Sequence, residues 1–486
     1  MPRNVQVSAG PTKAFFVRML TKDIELADAI LDLLDNCVDG ILRRRAAEAK
    51  ATKKAQKLLK PTKRPYKEFW ADIEATPEGF VIHDNCGGIP EKIAEKYAFM
   101  LGRPDPERDA DLETVGMYGI GMKRAIFKMG LSSVVTSHPV GEDSYKVVIP
   151  PEWLVDDHDW DLDLVEADQE LEEYGTRIEV TDLHPGIRRQ FEEDSDFLKN
   201  LVDRIGEHYS VILGKGFQIT VNGTEVPPAE LTILAPGELG TSGGPAVEPY
   251  LFLGNVDGVD VELAVGFYRP LATENELDDE IKVRRSREMA GWTVICNDRV
   301  VLYNDKSQMT GWGTATVPGY HNQFISIAGV VYFRSKDSAK LPLNTTKRGL
   351  DTSSEVYLTV LDYMREGLKK FTTFTNWWKR REEETEGQFG SLEQLAPRDV
   401  LTVAKRLGTD KFTRVAKANV KDGRRYSPNL PKPTNREQNA RICFAAAIKD
   451  IELVAEYYFG DRDVDRADIG KKCFEESLEL AKDQRR

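Results

Sequence analysis

Leu26, Ile30, Leu34, Val38 and Leu42 recur every four residues with no proline among them, and this spacing predicts a helix over 24–49. Asp32, Asn36 and Asp39 fall on the same stretch at i, i+4 and i+7, so these polar side chains share one helix face. The β-rich run at 79–83 (GFVIH) ends in DNCGGIP, the pattern of a strand entering a turn. A helix is expected from Glu91 to about Leu101. After a glycine-punctuated loop, KRAIFKMG predicts another, closed by Gly130. Alternation at 132–136, 145–149 and 176–181 predicts strands of one sheet. The implied layout is an α/β sandwich, with helices on one face of a mostly antiparallel sheet.

A helix over 194–213 closes this first part. Strand pattern resumes at 217–221, turning at Asn222-Gly223, and continues at 248–255, 259–268, 292–303 and 324–334. Thr352 and Glu355 fit a capping box that opens a long helix. Its apolar seam runs from Leu358 through Met364 and Phe371 to Trp378, the stripe of a stalk or bundle helix. Pro428, Pro431 and Pro433 then mark a loop before a last helical part around 437–484. The fold class expected is α+β, in three parts: 1–213, 214–350 and a helical 351–486.

Composition narrows the class. A chain of 486 residues needs more than one core, and two to four domains are expected. No stretch approaches the ~18 uninterrupted apolar residues of a membrane span. The start lacks the plan of a signal peptide, and the five cysteines form no CxxC pair, so reduced thiols and a cytoplasmic location are expected. The net charge is −13, yet residues 43–67 hold eleven Lys/Arg against Glu48 alone, a local +10 that leaves −23 elsewhere. That segment reads either as a solvated helical extension or as a contact for a phosphate backbone.

Three pieces carry candidate chemistry. Two carboxylates and an amide on one helix face (Asp32, Asn36, Asp39) suit a divalent cation, or merely a solvated face. Asp84-Asn85-Cys86-Gly87-Gly88 puts an acid at a strand end beside paired glycines, where a flat ligand can approach or a tight turn is required. In GMYGIGMKRA, Gly116, Gly119 and Gly121 can form an anion nest ahead of a helix N-terminus. It lacks the GK[ST] ending of a Walker loop, and its place does not fit the dinucleotide fingerprint.

In this order the pieces resemble the N, G1 and G2 boxes of the GHKL ATPases, which include gyrase B, Hsp90, MutL, the histidine kinases and MORC proteins. LLDNCVDG looks like the N box, VIHDNCGGI the G1 box and VGMYGIGMKRA the G2 box, with YGIGMK closest to MORC-type sequences; the GT of YGTRIEVTDL matches the element at the adenine side. The resemblance is to prokaryotic MORC-like and Hsp90-like ATP-binding proteins. It implies a Bergerat-type ATPase domain, then a transducer-like (S5-type) domain, with ATP and Mg²⁺ as cofactors. Asn36 would ligate the metal, and Asp84 would accept the adenine amino group beside Thr176 and Gly88. Gly116, Gly119 and Gly121 would wrap the phosphates, with Lys123 adding charge. Asp39, Ile89, Tyr118, Ile120 and Met122 complete the cofactor-binding set.

Two departures stand out. Asp32 occupies the place of the glutamate that activates water, one methylene shorter, and Cys86 replaces a glycine of the G1 box. Downstream, LPLNTTKRGLD puts Lys347 where such proteins supply a lysine to the γ-phosphate. The function implied is an ATPase switch driving ATP-dependent homodimerisation, acting on DNA in genome maintenance or anti-phage defence. The alternative is a non-catalytic ATP-gated scaffold, or a chaperone-like protein, acting on a protein partner through the C-terminal helices. With six histidines and the nucleotide motifs first in the chain, a histidine kinase fits poorly.

Overall fold

The Thr12 hydroxyl accepts the Phe15 amide and starts helix α1 (Lys13–Lys22), which leads into α2 (Leu26–Ala51). The computed structural model describes residues 12–51, 64–100, 119–156, 159–240, 245–273, 276, 289–344, 349–379, 381–433 and 445–484. Strands β1 (Trp70–Thr76) and β2 (Gly79–Asp84) form a hairpin. The expected 91–101 helix is instead a short turn, α3 (Glu91–Ile93), running into a π-helical turn at Ala94–Ala98. Then come α4 (Gly121–Met129), β3 (Gly130–His138), β4 (Tyr145–Ile149), β5 (Leu164–Glu166), β6 (Gly175–Leu183) and α5 (Pro185–Gln190). The 194–213 helix breaks at Tyr209 into α6 (Asp196–His208) and α7 (Ser210–Gly214), and β7 (Gln218–Val221) and β8 (Thr224–Glu225) follow.

Among the described residues these eight strands make one sheet, ordered β5-β4-β3-β6-β2-β1-β7-β8. Only β1 with β7 is parallel, with Trp70 opposite Gln218. The strand expected to open the second domain therefore extends the first sheet past residue 213, because β1 offers it an edge. Alternation along β1 and β2 buries Ala71, Ile73, Phe80 and Ile82 against Ile30, Leu34 and Val38 of α2. The apolar stripe of α2 is thus what holds the polar face in register with the strand ends.

The second sheet is built from β10 (Tyr250–Val256), β11 (Val259–Phe267), β12 (Gly291–Cys296), β13 (Arg299–Asp305), β14 (Ile327–Arg334), β16 (Thr413–Arg414) and β17 (Val420–Tyr426). Its order is β13-β12-β14-β11-β10-β17-β16, while β9 (Ile233–Ala235) pairs with β15 (Glu393–Leu395). The expected strand over 292–303 is a hairpin whose turn residues Asn297 and Asp298 both have positive φ, 46° and 67°. Successive residues of a strand serve opposite faces: Phe252 and Leu263 belong to one core, Leu251 and Ala264 to another.

Helix α8 (Glu355–Trp378) covers the first of these faces. Its N-cap is Ser354, not Thr352, and Ser354 Oγ accepts the Tyr357 amide. The helix is not a stalk: Phe371 and Phe374 lie 5.1 and 5.3 Å, ring to ring, from Phe267 of β11. Gly367 permits this approach, since a Cβ there would overlap Val265. Nor is the chain after 351 purely helical. Besides α9 (Glu382–Phe389) and α10 (Pro397–Lys405), it returns three strands. Residues 433–486 form a separate compact unit holding α11 (Ile448–Phe459) and α12 (Arg466–Asp483). No described helix is long and apolar enough to cross a membrane.

Candidate functional site

The polar face of α2 is mostly buried. Asp32 and Asp39 are each 1% exposed, whereas Asn36 between them is open to solvent. Arg124, on α4, donates to Asp32 Oδ2. Gly121, the first residue of α4, lies against the same carboxylate: a Cβ there would sit 3.6 Å from Oδ2. The positive end of α4 therefore faces Asp32 together with Arg124. Asp39 faces Arg43 at 4.0 Å. One buried acid and one exposed amide thus lie a helical turn apart on α2.

The second piece meets the first through Cys37, whose thiol donates to Asp84 Oδ2 at 3.4 Å. Asp84 ends β2, and its Oδ1 accepts the Cys86 amide at 2.7 Å. Burial pushes the Asp84 carboxyl up to about 6, against the pull of the Cys86 amide, the two thiols and the Thr176 amide. The Cys86 contact lowers the Cys37 thiol, but burial and Asp84 outweigh it and hold the group at about 11. Both cysteines are therefore protonated small hydrophobes near neutral pH. Thr176 stands directly opposite Asp84 in the β2–β6 ladder. Gly175 is required there, because a Cβ would overlap the Asp84 carbonyl.

Gly88 has φ +68°, and a Cβ on it would come within 2.5 Å of the His138 carbonyl. Its glycine requirement thus arises from packing on β3. Ile89 follows, donating its amide to Ser137 Oγ and accepting Tyr145 Oη, each at 2.7 Å.

Gly119 has φ +66°, and Ile120 is half-buried at the start of α4, with Met122 buried behind it. Lys123 is turned inward: its ammonium donates to the Ala98 carbonyl at 2.8 Å and also to the Gly119 carbonyl. Burial lowers it to about 8. It ties the π-helical turn to the start of α4, where a phosphate contact was expected. Gly116, Tyr118 and Lys347 lie outside the described residues, as do Lys53 and Lys54 of the basic segment. Arg43, Arg44 and Arg45 of that segment are engaged on the protein itself. Arg44 reaches the Asn85 carbonyl at 3.2 Å and Glu48 at 3.0 Å, and Arg45 donates to the Pro65 carbonyl.

Sequence reasoning missed two residues here. Arg124 follows Lys123 directly, but its partner is 92 positions away. Asp35 lies on the flank of α2 and is 2% exposed. It accepts Tyr209 Oη at 2.6 Å and Arg299 Nε at 2.7 Å. An acid three residues before Val38 and one after Leu34 was the available signal, since an ionised group among buried apolar positions needs a partner.

Four separated motifs are thus joined by direct contacts: Asp32 to Gly121, Cys37 to Asp84, and Asp84 to Thr176. No curated protein matches the chain. Residues 24–177, which run from the start of α2 through Thr176 and carry all of these contacts, match the family described as histidine kinase-, DNA gyrase B-, and HSP90-like ATPase, the GHKL superfamily.

Proposed function

We propose that this chain binds ATP with Mg²⁺ and hydrolyses it slowly, using the cycle to switch conformation. The observation that carries this reading is that Asp84, with Thr176 beside it, meets α2 at Cys37 while Gly121 lies against Asp32 about a turn away on the same helix, with Asn36 exposed between them, all within the family match. The residues fit the ligands. Asp84 is a buried acceptor suited to the exocyclic amine of adenine. Mg²⁺ prefers oxygen ligands and is ordinarily held by one or two protein groups plus phosphate oxygens and water. Asn36 is exposed to supply such a ligand, and the bound metal would offset phosphate charge.

Asp32 is the acid placed to take a proton from water, and Arg124 fixes its orientation through Oδ2. Lys123, Ile120 and Gly119 shape the base of the phosphate loop, to which Gly116 and Tyr118 belong by sequence. Met122, Ile89, Gly88 and Asp39 support the walls. Lys347 supplies a cation from the chain preceding α8. Phe15 and Met19, exposed one turn apart on α1, are the apolar pair for an ATP-dependent contact with a second copy. DNA is the client favoured by the basic segment.

A second reading rests on Asp32 itself. It is short for a general base and already engaged by Arg124, the pattern expected of an ATP-gated scaffold that turns over negligibly. Phosphate release from Mg·ATP by the wild type, Asp32→Asn and Lys347→Ala separates the two. The switch predicts turnover that Asp32→Asn abolishes, by at least about 100-fold for loss of a general base. Wild-type release equal to that of Asp32→Asn, with ATP still bound, leaves the scaffold.

A further inference from the structure

Asp298, in the turn of the β12–β13 hairpin, and Arg299, the first residue of β13, carry opposite charges and each reaches a group of the chain before residue 216. Asp298 receives Lys215, from the link between α7 and β7, and also Arg334 at 2.7 Å and Arg398 at 3.0 Å. Arg299, fully buried, enters beside α2: Nε donates to Asp35 Oδ1 at 2.7 Å, and Nη1 donates to the His208 carbonyl at 2.9 Å. Its guanidinium lies 4.2 Å from the centre of the Tyr209 ring. Tyr209 Oη closes the cluster with its one proton between two acceptors, Asp35 Oδ1 at 2.6 Å and the Leu31 carbonyl at 2.7 Å. Burial lowers the Arg299 pKa, but Tyr209, Asp35 and then Asp32 outweigh it, so the group stays charged.

This cluster is placed where it can act on the candidate site. Asp35 sits between Asp32 and Asn36, and Tyr209 holds the carbonyl of Leu31, the residue before Asp32. An arginine from the second sheet therefore fixes the turn of α2 that carries both groups. A buried pair of this kind is a poor source of net stability and a good source of geometric definition.

We propose that Arg299 is a positioning residue for the nucleotide site, seating Asp32 and Asn36 through Asp35 and coupling that seat to the second sheet. This rests on the ATPase reading for its catalytic consequence, but the mechanical coupling can be read without turnover. Any ligand that tightens the α2 turn must also tighten the hairpin tip, because a coupling free energy is reciprocal.

The test uses the full chain with Asp35→Asn/Arg299→Gln, which retains polar partners without burying a lone charge, and with Arg299→Lys as a second folded variant. Hydrogen exchange is followed at amides 31–39 and 297–300, without nucleotide and with a non-hydrolysable ATP analogue and Mg²⁺. In the free double variant, exchange at 31–39 rises about tenfold, while β2 and β6 stay at the wild-type rate. In the wild type the analogue protects 297–300, and in the variants it does not. Turnover falls at least about tenfold in kcat with KM changed less than about threefold. Either variant, folded, with wild-type exchange at 31–39 overturns the proposal. So does analogue-induced protection of 297–300 that survives the substitutions. If the wild type neither binds the analogue nor releases phosphate, the ATPase reading fails, and the nucleotide-free exchange alone decides the role of Arg299.

Discussion

A carboxylic acid whose native pKa is raised reports its environment through the pH dependence of folding. Asp84 moves from an ordinary aspartate value to about 6, chiefly by burial. Between about pH 4 and 6 the native state keeps a proton that the unfolded chain has released, so its contribution is full below pH ~4 and lost as pH rises through ~6. A shift of roughly two units corresponds to about 3 kcal/mol at most. Asp84→Asn removes this dependence. The stability of Asp84→Asn relative to wild type, from urea unfolding, is expected to rise by about 2–3 kcal/mol between pH 4 and pH 7. A constant difference across that range contradicts the buried-acid assignment. Under the proposed role of Asp84 as the adenine acceptor, ionisation would strengthen that contact, so ATP affinity of the wild type should rise through pH 6 while that of Asp84→Asn stays flat.

Residue-level legibility followed sequence distance. Asp32, Asn36, Asp84 and Thr176 stood out as candidates because each belongs to a short motif, and all four fall in the stretch that matches the family. Asp35 could not, because its partner Arg299 lies 264 positions away, and an arginine in a hairpin turn looks like surface until its neighbour is known.

At the scale of elements, periodicity identified α2, α4, β3, β4 and β6, with burial alternating along most of β3 and all of β4. It failed where pairing decides the outcome. β7 was assigned to the wrong sheet because a parallel edge partner leaves no mark in its four residues. β17, with its charged KDGRR, forms a strand because β10 offers an edge.

The α2 extension shows the same competition between local pattern and tertiary partner. Its arginines could equally serve solvent, nucleic acid or the protein's own carbonyls, and Arg44 takes the last role while packing on Gly87, where a Cβ would meet its own Cβ at 3.1 Å. Arg44→Gln should therefore cost about 1–2 kcal/mol of stability, the range for a charge-assisted bond of a partly exposed side chain. Lys53→Gln/Lys54→Gln should leave the melting temperature unchanged and flatten the salt dependence of DNA binding by about two ion equivalents. An unchanged salt slope removes DNA as a client of this segment; an unchanged melting temperature for Arg44→Gln removes the structural role assigned to it.

At the scale of the molecule, the continuous core runs to the end of the proline loop. Leu430 is buried in the α8 core, and the Pro431 carbonyl accepts the Trp378 indole at 3.0 Å, so the chain through residue 432 belongs to the larger unit. Beyond it, α11 and α12 leave Leu453 and Leu480 each 66% exposed and Tyr457 81% exposed, more apolar surface than two short helices need for their own packing. A chain ending at Lys432 should melt within about 2 °C of the full chain, since it keeps the whole of the larger compact unit. It should keep basal ATP binding and turnover, because every described candidate site residue lies before it. A drop of 5 °C or more in the shortened chain would instead make α11 and α12 part of the larger unit's core. Loss of self-association with turnover intact would assign them to assembly rather than to the nucleotide site.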